Sequence, residues 1–397
     1  MKKNTSRTLS DDISINISEG IKIMHCADVH LCSEFTFLKS NAKSRRAELL
    51  ATFQNMVALC KSKAIVLLII SGDLFDSNHA DVSVVDEVKK IFASVPDTII
   101  AVAAGNHDYY AVDSPYADED WPDNVHIFKG ELSSVEFAKK KLRIWGKSFV
   151  SSYSPKPNDK LPDIPDDGFI NIMIMHGDLV SDGQSSVYNP VTRSFIENSR
   201  MDYIALGHIH KRTEILKAGK TFYAYCGSPE PLGFDEPGEK GCYIGRVYKN
   251  DCKLNFQKTC KRMVAEVEVD ISGLNSNKQI SDAVFKKLQY IYGASYDNNM
   301  YRIILQGKLD VHFTPDCALI ENRLAEKIYS IRIKNEAIPD IPLERLAGEI
   351  SLKGIFVKKM LEKINHASDE EARKKLEQAL YIGLKAFDGE VSYYENQ

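Results

Sequence analysis

The chain lacks several features that would place it in a particular class of protein. No stretch approaches the ~18 consecutive apolar residues that a membrane-spanning helix needs, and the N-terminus has no apolar core of a signal peptide. The eight cysteines form no CxxC pair and no regular spacing, which favours reduced thiols over disulfides or a zinc knot. We therefore expect a cytoplasmic protein that makes no contact with a membrane.

Charge of one sign is also scarce, since the formal net charge is only -4. A protein without an overall positive charge can bind nucleic acid only through a local basic patch or through metal ions. Composition therefore neither supports nor excludes DNA as a partner.

The length of 397 residues is too great for one ordinary domain. Residues 1–20 are polar and weakly patterned, and the composition shifts again after Arg262. We predict four segments: an N-terminal extension (1–20), a large α/β domain (21–262), a small α/β domain (263–338) and a C-terminal helical region (339–397).

Apolar runs predict the strands of the large domain at 21–27, 64–70, 98–103, 169–175 and 203–206, with helices at 43–61 and 82–93. Shorter strands follow at 221–226, 242–247 and 253–259, and residues 105–168 look less regular. A βαβαβ pattern covers 264–333. Beyond Pro342 the chain looks helical, with a break after Ile364, a capping box at Ser368 and Glu371, and an end at Gly389.

Metal-binding types of side chain follow five of the predicted strands. Each residue alone could be a turn or capping residue. Five such strand ends in succession point instead to one metal site, because the strand ends of an open α/β sheet converge on one crevice. The residues are Asp28, His30, Asp73, Asn106, His107, His176, His208 and His210.

The number of these residues predicts two ions rather than one. Asp28 and His30, like His208 and His210, are separated by one residue, so each pair faces one side if the backbone is extended, and Gly207 lets the chain turn. Asp73 stands alone at its strand end and is the natural carboxylate bridge. Mixed imidazole and carboxylate ligands suit Mn, Fe, Zn or Co better than Ca or Mg.

Two ions of this kind favour hydrolysis of a phosphoester. The leaving oxygen then needs a proton donor near the metals, and His107 is the candidate. Asp108 follows it directly and could orient its ring or raise its pKa.

Five blocks in the sequence resemble the signature blocks of the calcineurin-like metallophosphoesterases. They are ADVH (27–30), GDLFD (72–76), GNHD (105–108), MHG (175–177) and GHIH (207–210). Within that superfamily, HCADVHL, SGDLFD, DYIALGHIHKR and YCGSPEPLGFDEPGEKG resemble the bacterial DNA repair exonucleases of the SbcD and YhaO type.

The resemblance implies a two-sheet β-sandwich flanked by helices, followed by a smaller α/β domain that caps the site and guides DNA. It implies manganese as the usual metal, with Asp28, His30, Asp73 and His210 on one ion and Asp73, Asn106, His176 and His208 on the other. It also implies that His107 is catalytic and that the partner is an SMC-like coiled-coil ATPase of the SbcC type.

Two positions depart from the pattern of these relatives. Cys32 stands where many have glycine, and Asp76 stands where some have histidine, so the polarity of cleavage cannot be carried over. Among the short basic clusters, Lys211 and Arg212 are favoured as DNA contacts because they follow the last predicted ligand.

The leading hypothesis is a metal-dependent DNA exonuclease or endonuclease that acts in DNA repair by a two-metal mechanism. One alternative is a phosphodiesterase or phosphomonoesterase acting on small nucleotides, because the same metal site serves both. Another is a scaffold without catalysis, against which the complete ligand set counts. The sequence leaves open the native substrate, the metal in the cell, the ATPase partner and whether the chain forms a homodimer.

Overall fold

The computed structural model describes residues 19–155, 161, 163–387 and 389. The predicted extension therefore lies outside the described residues except at Glu19 and Gly20, as does part of the Pro-rich loop at 154–167. Contacts divide the chain into two compact units, with the boundary between Val264 and Ala265. Whether residues 339–397 form a domain of their own stays a prediction.

The first unit is built mainly of strands. Its helices are α1 (Ala42–Ser62), α2 (Val82–Ala93) and α3 (Arg193–Asn198). Its strands are β1 (Ile21–Cys26), β2 (Leu67–Ser71), β3 (Ile99–Ala103), β4 (Val125–Ile127), β5 (Ser133–Phe137), β6 (Leu142–Gly146), β7 (Ile170–His176), β8 (Leu179–Val180), β9 (Val191–Thr192), β10 (Tyr203–Gly207), β11 (Leu216–Ala218), β12 (Thr221–Tyr225), β13 (Gly241–Tyr248) and β14 (Asp251–Lys258).

Two six-stranded sheets organise these strands. The first has the order β14-β13-β1-β2-β3-β4, and β1 to β4 run parallel. The second has the order β11-β12-β10-β7-β6-β5, with β6, β7, β10 and β12 parallel. The carboxyl ends of the parallel strands in each sheet therefore lie at a common edge, which is where the predicted ligands follow.

The main core lies between the two sheets. Alternate residues of each strand face inward, among them Leu67 and Ile69 of β2 and Ile172 and Ile174 of β7, all fully buried. The intervening residues, such as Ile70, are buried as well. Strands covered on both faces explain the nearly continuous apolar runs in the sequence. The predicted α/β sandwich of two sheets flanked by helices is confirmed.

The irregular stretch predicted between 105 and 168 is wrong in part, because it contains β4, β5 and β6. Strand β6 lies inside the second sheet, where Arg143 is 4% exposed and binds Glu136 (2.7 Å) and Asp167 (2.6 Å). A buried guanidinium is tolerated when its charge is paired in this way. The basic residues around Arg143 therefore masked the apolar pattern of this strand in the sequence. Arg143 has a structural role.

The second unit begins with the predicted alternation of strands and helices. Its strands β15 (Val264–Asp270), β16 (Met300–Gln306) and β18 (Ser330–Asn335) form a sheet in that order, with β16 and β18 parallel. Two helices, α4 (Asn277–Tyr292) and α5 (Cys317–Leu324), connect them. Short strands β17 (Lys308–Leu309) and β19 (Ile338–Pro339) pair separately. Val284 and Leu288 of α4 are fully buried against this sheet.

Within the described residues, three helices follow this unit's strands: α6 (Leu343–Ala347), α7 (Leu352–Asn365) and α8 (Glu370–Phe387). The break after Ile364 is confirmed, and a further break separates α6 from α7. The predicted capping box is wrong by one residue, because Asp369 accepts the N–H of Ala372 at 2.8 Å while Ser368 donates its hydroxyl to Asp369. Aspartate accepts this bond with a full charge at the positive end of the helix.

Glu48 on α1 gives the first unit a stability that depends on pH. Burial disfavours its charge, but hydrogen bonds from Arg262 and Lys261 lower its pKa from 4.5 to about 2. A group with a depressed pKa stabilises the fold above its unfolded pKa and loses that contribution as the pH falls.

We expect Glu48→Gln to lower the melting temperature at pH 7. Each kcal/mol of unfolding free energy that is lost should lower it by roughly 2–4 °C. The difference from the unchanged protein should narrow as the pH falls from about 4.5 toward 2. Thermal unfolding followed by circular dichroism over this range tests it. Glu239→Gln, which removes an exposed pair with Lys258, is the control and should change little. A difference independent of pH would contradict the linkage.

Candidate metal centre

All of the predicted metal-binding side chains meet at one edge of the sandwich. Those after β1, β2 and β3 come from the first sheet, and those at the end of β7 and after β10 come from the second. The crevice therefore lies between the two sheets, and each sheet supplies part of its wall. Four of the side chains are almost completely buried, at 2% exposure or less: Asp28, His30, Asp73 and His176.

The backbone at these positions is not extended, which corrects the geometry expected from the paired spacing. Strands β1 and β10 end before the ligands, and φ is positive at Asp28 (52°), His30 (52°), Asp73 (51°) and His208 (104°). The N–H groups of Asp28 and His30 donate to the carbonyls of Gly72 and Asp73, each at 3.0 Å. Left-handed backbone at non-glycine residues is costly and is kept at functional sites when the surrounding structure holds it.

Close packing between the loops explains two further positions. A Cβ on Gly207 would lie 1.9 Å from the carbonyl oxygen of Ser71, so Gly207 serves a close approach of backbones rather than a turn. Cys32 has φ of 74°, a conformation that favours glycine. The glycine that the family resemblance implies at this position would therefore have a conformational reason, and Cys32 adopts this backbone with strain.

Three of the side chains form a first group: Asp28, His30 and His210. One ligand atom from each lies within 4.8 Å of the others. The Nε2 atoms of His30 and His210 are 3.2 Å apart and face each other. His30 binds Asp76 through Nδ1 at 2.8 Å, and His210 binds Glu236 through Nδ1 at 2.7 Å.

A carboxylate can only accept, so each of these rings carries a proton on Nδ1 and directs Nε2 at the other ring. Two facing nitrogen lone pairs beside a carboxylate fit a shared cation. Burial lowers the pKa of His30, but Asp76, Asp73 and Asp28 outweigh it and raise the pKa to about 9. The electrostatics of this group thus call for positive charge, which a divalent ion supplies in place of protons.

A second group contains Asp28, Asp73 and His176, again with ligand atoms within 4.8 Å. The Nδ1 of His176 donates to the carbonyl of Ser71 at 2.9 Å, which leaves Nε2 facing Asn106 Oδ1 at 3.0 Å. His208 adds its Nδ1 at 3.1 Å from the same oxygen. Two imidazoles, an amide oxygen and carboxylates therefore converge on this second position.

Asp73 belongs to the second group and also lies close to the first. Its Oδ2 is 3.6 Å from His30 Nε2 and 3.3 Å from His176 Nε2. Burial opposes its ionisation, but His176, His30 and His107 together lower its pKa well below the ordinary range. Asp73 thus has a placement that suits a bridging carboxylate, as does Asp28, which belongs to both groups.

The carboxylate of Asp108 does not make the contact with the His107 ring that the sequence suggested. Its carboxylate is fully buried and accepts from Phe75 N–H (3.0 Å), Gly105 N–H (2.7 Å) and the hydroxyl of Tyr116. Over the ranges that the structure describes, no hydrogen bond joins it to His107, whose Nδ1 faces the carbonyl of Asp76 at 3.3 Å. Asp108 therefore shapes the loop that presents His107, because its carboxylate satisfies two backbone groups.

His107 itself is exposed beside the buried groups. Its backbone N–H donates to Asp73 Oδ1 at 3.0 Å, and its ring lies 4.8 Å from the ring of His30, edge to face. The imidazole thus stands at the mouth of the site with access to solvent and to any ligand bound there.

Sequence reasoning missed three carboxylates that contact the imidazoles: Asp76, Asp178 and Glu236. Asp178 Oδ1 lies 3.3 Å from His208 Nε2. Glu236 belongs to the loop between β12 and β13, which Glu230 anchors to α1 through Arg45 at 2.7 Å, with both side chains fully buried. The signal for Glu236 was the loop motif, whereas Asp76 ends the GDLFD block and Asp178 directly follows the MHG block.

Lys211 and Arg212 are exposed and, together with His208, His210 and Glu236, line a cavity of about 770 Å³. The guanidinium of Arg212 lies 4.1 Å from the centre of the Phe256 ring. Another basic cluster is structural, because Lys261 and Arg262 bind Glu48 at 3.0 and 2.6 Å. Of these two clusters, only Lys211 and Arg212 lie in this cavity.

The family model described as Calcineurin-like phosphoesterase matches residues 21–212. This range includes both groups of side chains and His107. Residues 21–212 form a calcineurin-like metallophosphoesterase domain. The metallophosphoesterase family hydrolyses phosphoesters and binds two divalent ions, and the two groups around Asp73 are candidates to hold them.

Three relatives are similar to this chain over more than half of its length. The uncharacterized metallophosphoesterase YhaO of Bacillus subtilis is 27% identical, over 68% of each chain. The SbcD component of the nuclease SbcCD of Escherichia coli is 25% identical, over 59% of this chain and 66% of its own. The DNA double-strand break repair protein Mre11 of Methanopyrus kandleri is 27% identical, over 57% and 53%.

The sequence predicts that no segment spans a membrane, and the helices of the structure can be compared with that prediction. In the part of the chain that the structure describes, no helix combines the length and the apolar character needed to cross a bilayer.

Proposed function

We propose that this metallophosphoesterase is a DNA nuclease that cleaves phosphodiesters at a two-ion site, with Mn²⁺ as the preferred metal. The observation that carries the proposal is the pair of ligand groups that share Asp28 and adjoin Asp73, with facing imidazole nitrogens that fit cations. Mixed imidazole and carboxylate donors suit Mn, and Fe, Zn or Co fit the same donors.

The two groups supply the candidate ligands, with Asp28 a member of both, and the family resemblance supplies their division between two ions. We assign Asp28, His30, Asp73 and His210 to one ion, and Asp73, Asn106, His176 and His208 to the other. His208 and His210 then serve different ions, since their rings face Asn106 and His30 respectively.

Each residue has a distinct task in the proposed reaction. Bound divalent ions supply activation of a water and neutralisation of the phosphate charge. His107 donates a proton to the leaving oxygen, for which its exposed ring at the mouth of the site is suited. Lys211 and Arg212 contact phosphates of the strand on either side of the cleaved bond.

Aromatic side chains beside His208 support a nucleic acid as the substrate. The ring of Tyr188 lies 4.7 Å from that of His208, and the ring of Tyr153 lies 5.9 Å from that of Tyr188. Tyr153 is 60% exposed. Exposed aromatic faces next to a phosphate site can stack bases, which a substrate without bases cannot use.

The relatives support a role in DNA repair and a partner. One is named as a component of the nuclease SbcCD, and another as a DNA double-strand break repair protein. We propose that this chain likewise works with an SMC-like coiled-coil ATPase of the SbcC type and that residues 263–338 guide DNA. A homodimer is a further proposal, and gel filtration with light scattering tests it.

A substrate panel decides between the DNA nuclease and an enzyme for small nucleotides. Purified protein with Mn²⁺ is incubated with end-labelled duplex DNA, single-stranded DNA and a small phosphodiester, and His107→Ala is assayed in parallel. Cleavage of DNA supports the proposal. Intact DNA beside a hydrolysed small ester would assign the chain to small nucleotides, and no turnover of any substrate would favour the scaffold.

Tyr153→Ala is expected to separate DNA from small substrates. Loss of a stacking ring costs ~1–3 kcal/mol per base, so kcat/KM on single-stranded DNA should fall roughly 5- to 150-fold. Turnover of bis(p-nitrophenyl) phosphate, a single phosphodiester without flanking nucleotides to reach Tyr153, should stay unchanged. Tyr290→Ala, on an exposed residue of α4, is the matched control. An equal loss on both substrates would show that Tyr153 supports the metal centre instead.

A further inference from the structure

The two proposed ion sites differ in what surrounds their imidazoles. Both rings of the first site are held by carboxylates outside the ligand set, Asp76 on His30 at 2.8 Å and Glu236 on His210 at 2.7 Å. The side chains of these carboxylates are 31% and 12% exposed. Neither is among the ligands that the family resemblance supplies.

Glu236 is itself fixed from several directions. Its other oxygen accepts the hydroxyl of Ser228 at 3.0 Å and lies 2.8 Å from the ammonium of Lys240. Lys240 also donates to the backbone carbonyl of His210 at 2.8 Å. One carboxylate and one ammonium group therefore hold both the ring and the backbone of His210.

The second site has weaker support of this kind. The Nδ1 of His176 donates to a neutral acceptor, the carbonyl of Ser71. His208 has a carboxylate neighbour, Asp178, but at 3.3 Å, and Asp178 also accepts the hydroxyl of Ser186. The imidazoles of the first site thus have two close carboxylate contacts, whereas those of the second site have one longer contact.

We propose that Asp76 and Glu236 are positioning residues that make the site of Asp28, His30 and His210 the tighter of the two ion sites. A carboxylate on Nδ1–H fixes the tautomer, orients the ring and makes Nε2 a stronger donor. It also adds negative charge near the ion, in surroundings where charges interact strongly. The inference rests on the proposed two-ion site.

The test measures metal binding rather than turnover. Mn²⁺ is titrated into the full chain, stripped of metal, by isothermal calorimetry, and the bound ions are followed by electron paramagnetic resonance. The variants are Asp76→Asn and Glu236→Gln, and Asp178→Asn is the matched control at the second site. Thermal unfolding in EDTA checks that each variant folds. If Glu236→Gln does not fold, Asp76→Asn, at the more exposed residue, still tests the proposal.

For the unchanged chain we expect two binding events of different strength. Asp76→Asn and Glu236→Gln should each weaken the tighter event roughly 10- to 100-fold and leave the weaker one in place. Asp178→Asn should act on the weaker event. A tighter event that neither variant changes, or one that Asp178→Asn weakens instead, would overturn the proposal.

Failure of the two-ion site itself would look different. The unchanged chain would then show a single binding event. The positioning role is still decided in that case, because the event must weaken in Glu236→Gln and not in Asp178→Asn. An event that Glu236→Gln leaves unchanged and Asp178→Asn weakens would reject the positioning role.

Discussion

Asp73→Asn is expected to abolish phosphodiester hydrolysis, with a fall on the order of 10³-fold or more, equivalent to about 4 kcal/mol of barrier. Asp73 stands between both ligand groups and accepts the backbone N–H of His107. Asparagine keeps the size of the side chain but removes its charge and one of its two acceptor oxygens. The change therefore removes the proposed bridge and leaves the volume of the core unchanged.

Metal content distinguishes this loss from a general defect of folding. Asp73→Asn should bind fewer than two Mn²⁺ ions, or bind both far more weakly, when measured by calorimetry and by metal analysis after dialysis. Its thermal unfolding in EDTA should remain cooperative. Asp282→Asn, on an exposed residue of α4, is the control and should bind metal and cleave as before. Full metal content together with activity within tenfold of the unchanged protein would remove Asp73 from the bridge.

The strands that carry the site could be predicted because their physical signal is local. β1, β2, β3, β7 and β10 are covered on both faces, so their sequences are mostly apolar, with Lys22, His25 and Asn171 as the interior exceptions. Ligand types of residue at their exits stood out against that background. β6 had no such signal, because Arg143 is neutralised by Glu136 and Asp167, which lie 7 and 24 residues away along the chain.

The finer geometry of the site depends on contacts that no local pattern encodes. Asp76 meets His30 across 46 residues, and Glu236 meets His210 across 26. Asp108 neighbours His107 in sequence, yet its carboxylate turns inward to Phe75 and Gly105. Adjacent residues in a left-handed or bent loop point in different directions, so sequence spacing predicts shared direction only on regular structure.

Two glutamates of the loop motif that follows β12 have identifiable structural roles. Glu230 is fully buried and binds Arg45 and Thr52 of α1, while Glu236 reaches His210. One glutamate thus fastens the loop to a helix, and the other places a metal-facing imidazole. A buried ion pair is weak support for stability but fixes one arrangement of the chain, which an ordered metal ligand requires.

His107→Gln is expected to lower kcat by roughly 10²- to 10⁴-fold while leaving metal binding unchanged, because it removes a proton donor but no ligand. Its backbone N–H, which binds Asp73, is retained in the variant. The exposed ring makes no contact that the core needs, so the melting temperature should also be unchanged. His312→Gln, at an exposed position of the second unit, is the matched control.

The leaving group provides the decisive comparison for His107. A nucleoside alkoxide needs protonation as it departs, whereas p-nitrophenolate is stable without a proton, so a general acid matters far less for it. The loss in His107→Gln should therefore be large on DNA and small on bis(p-nitrophenyl) phosphate. An equal loss on both substrates would assign His107 to binding of the phosphate, since a contact to the nonbridging oxygens serves either leaving group.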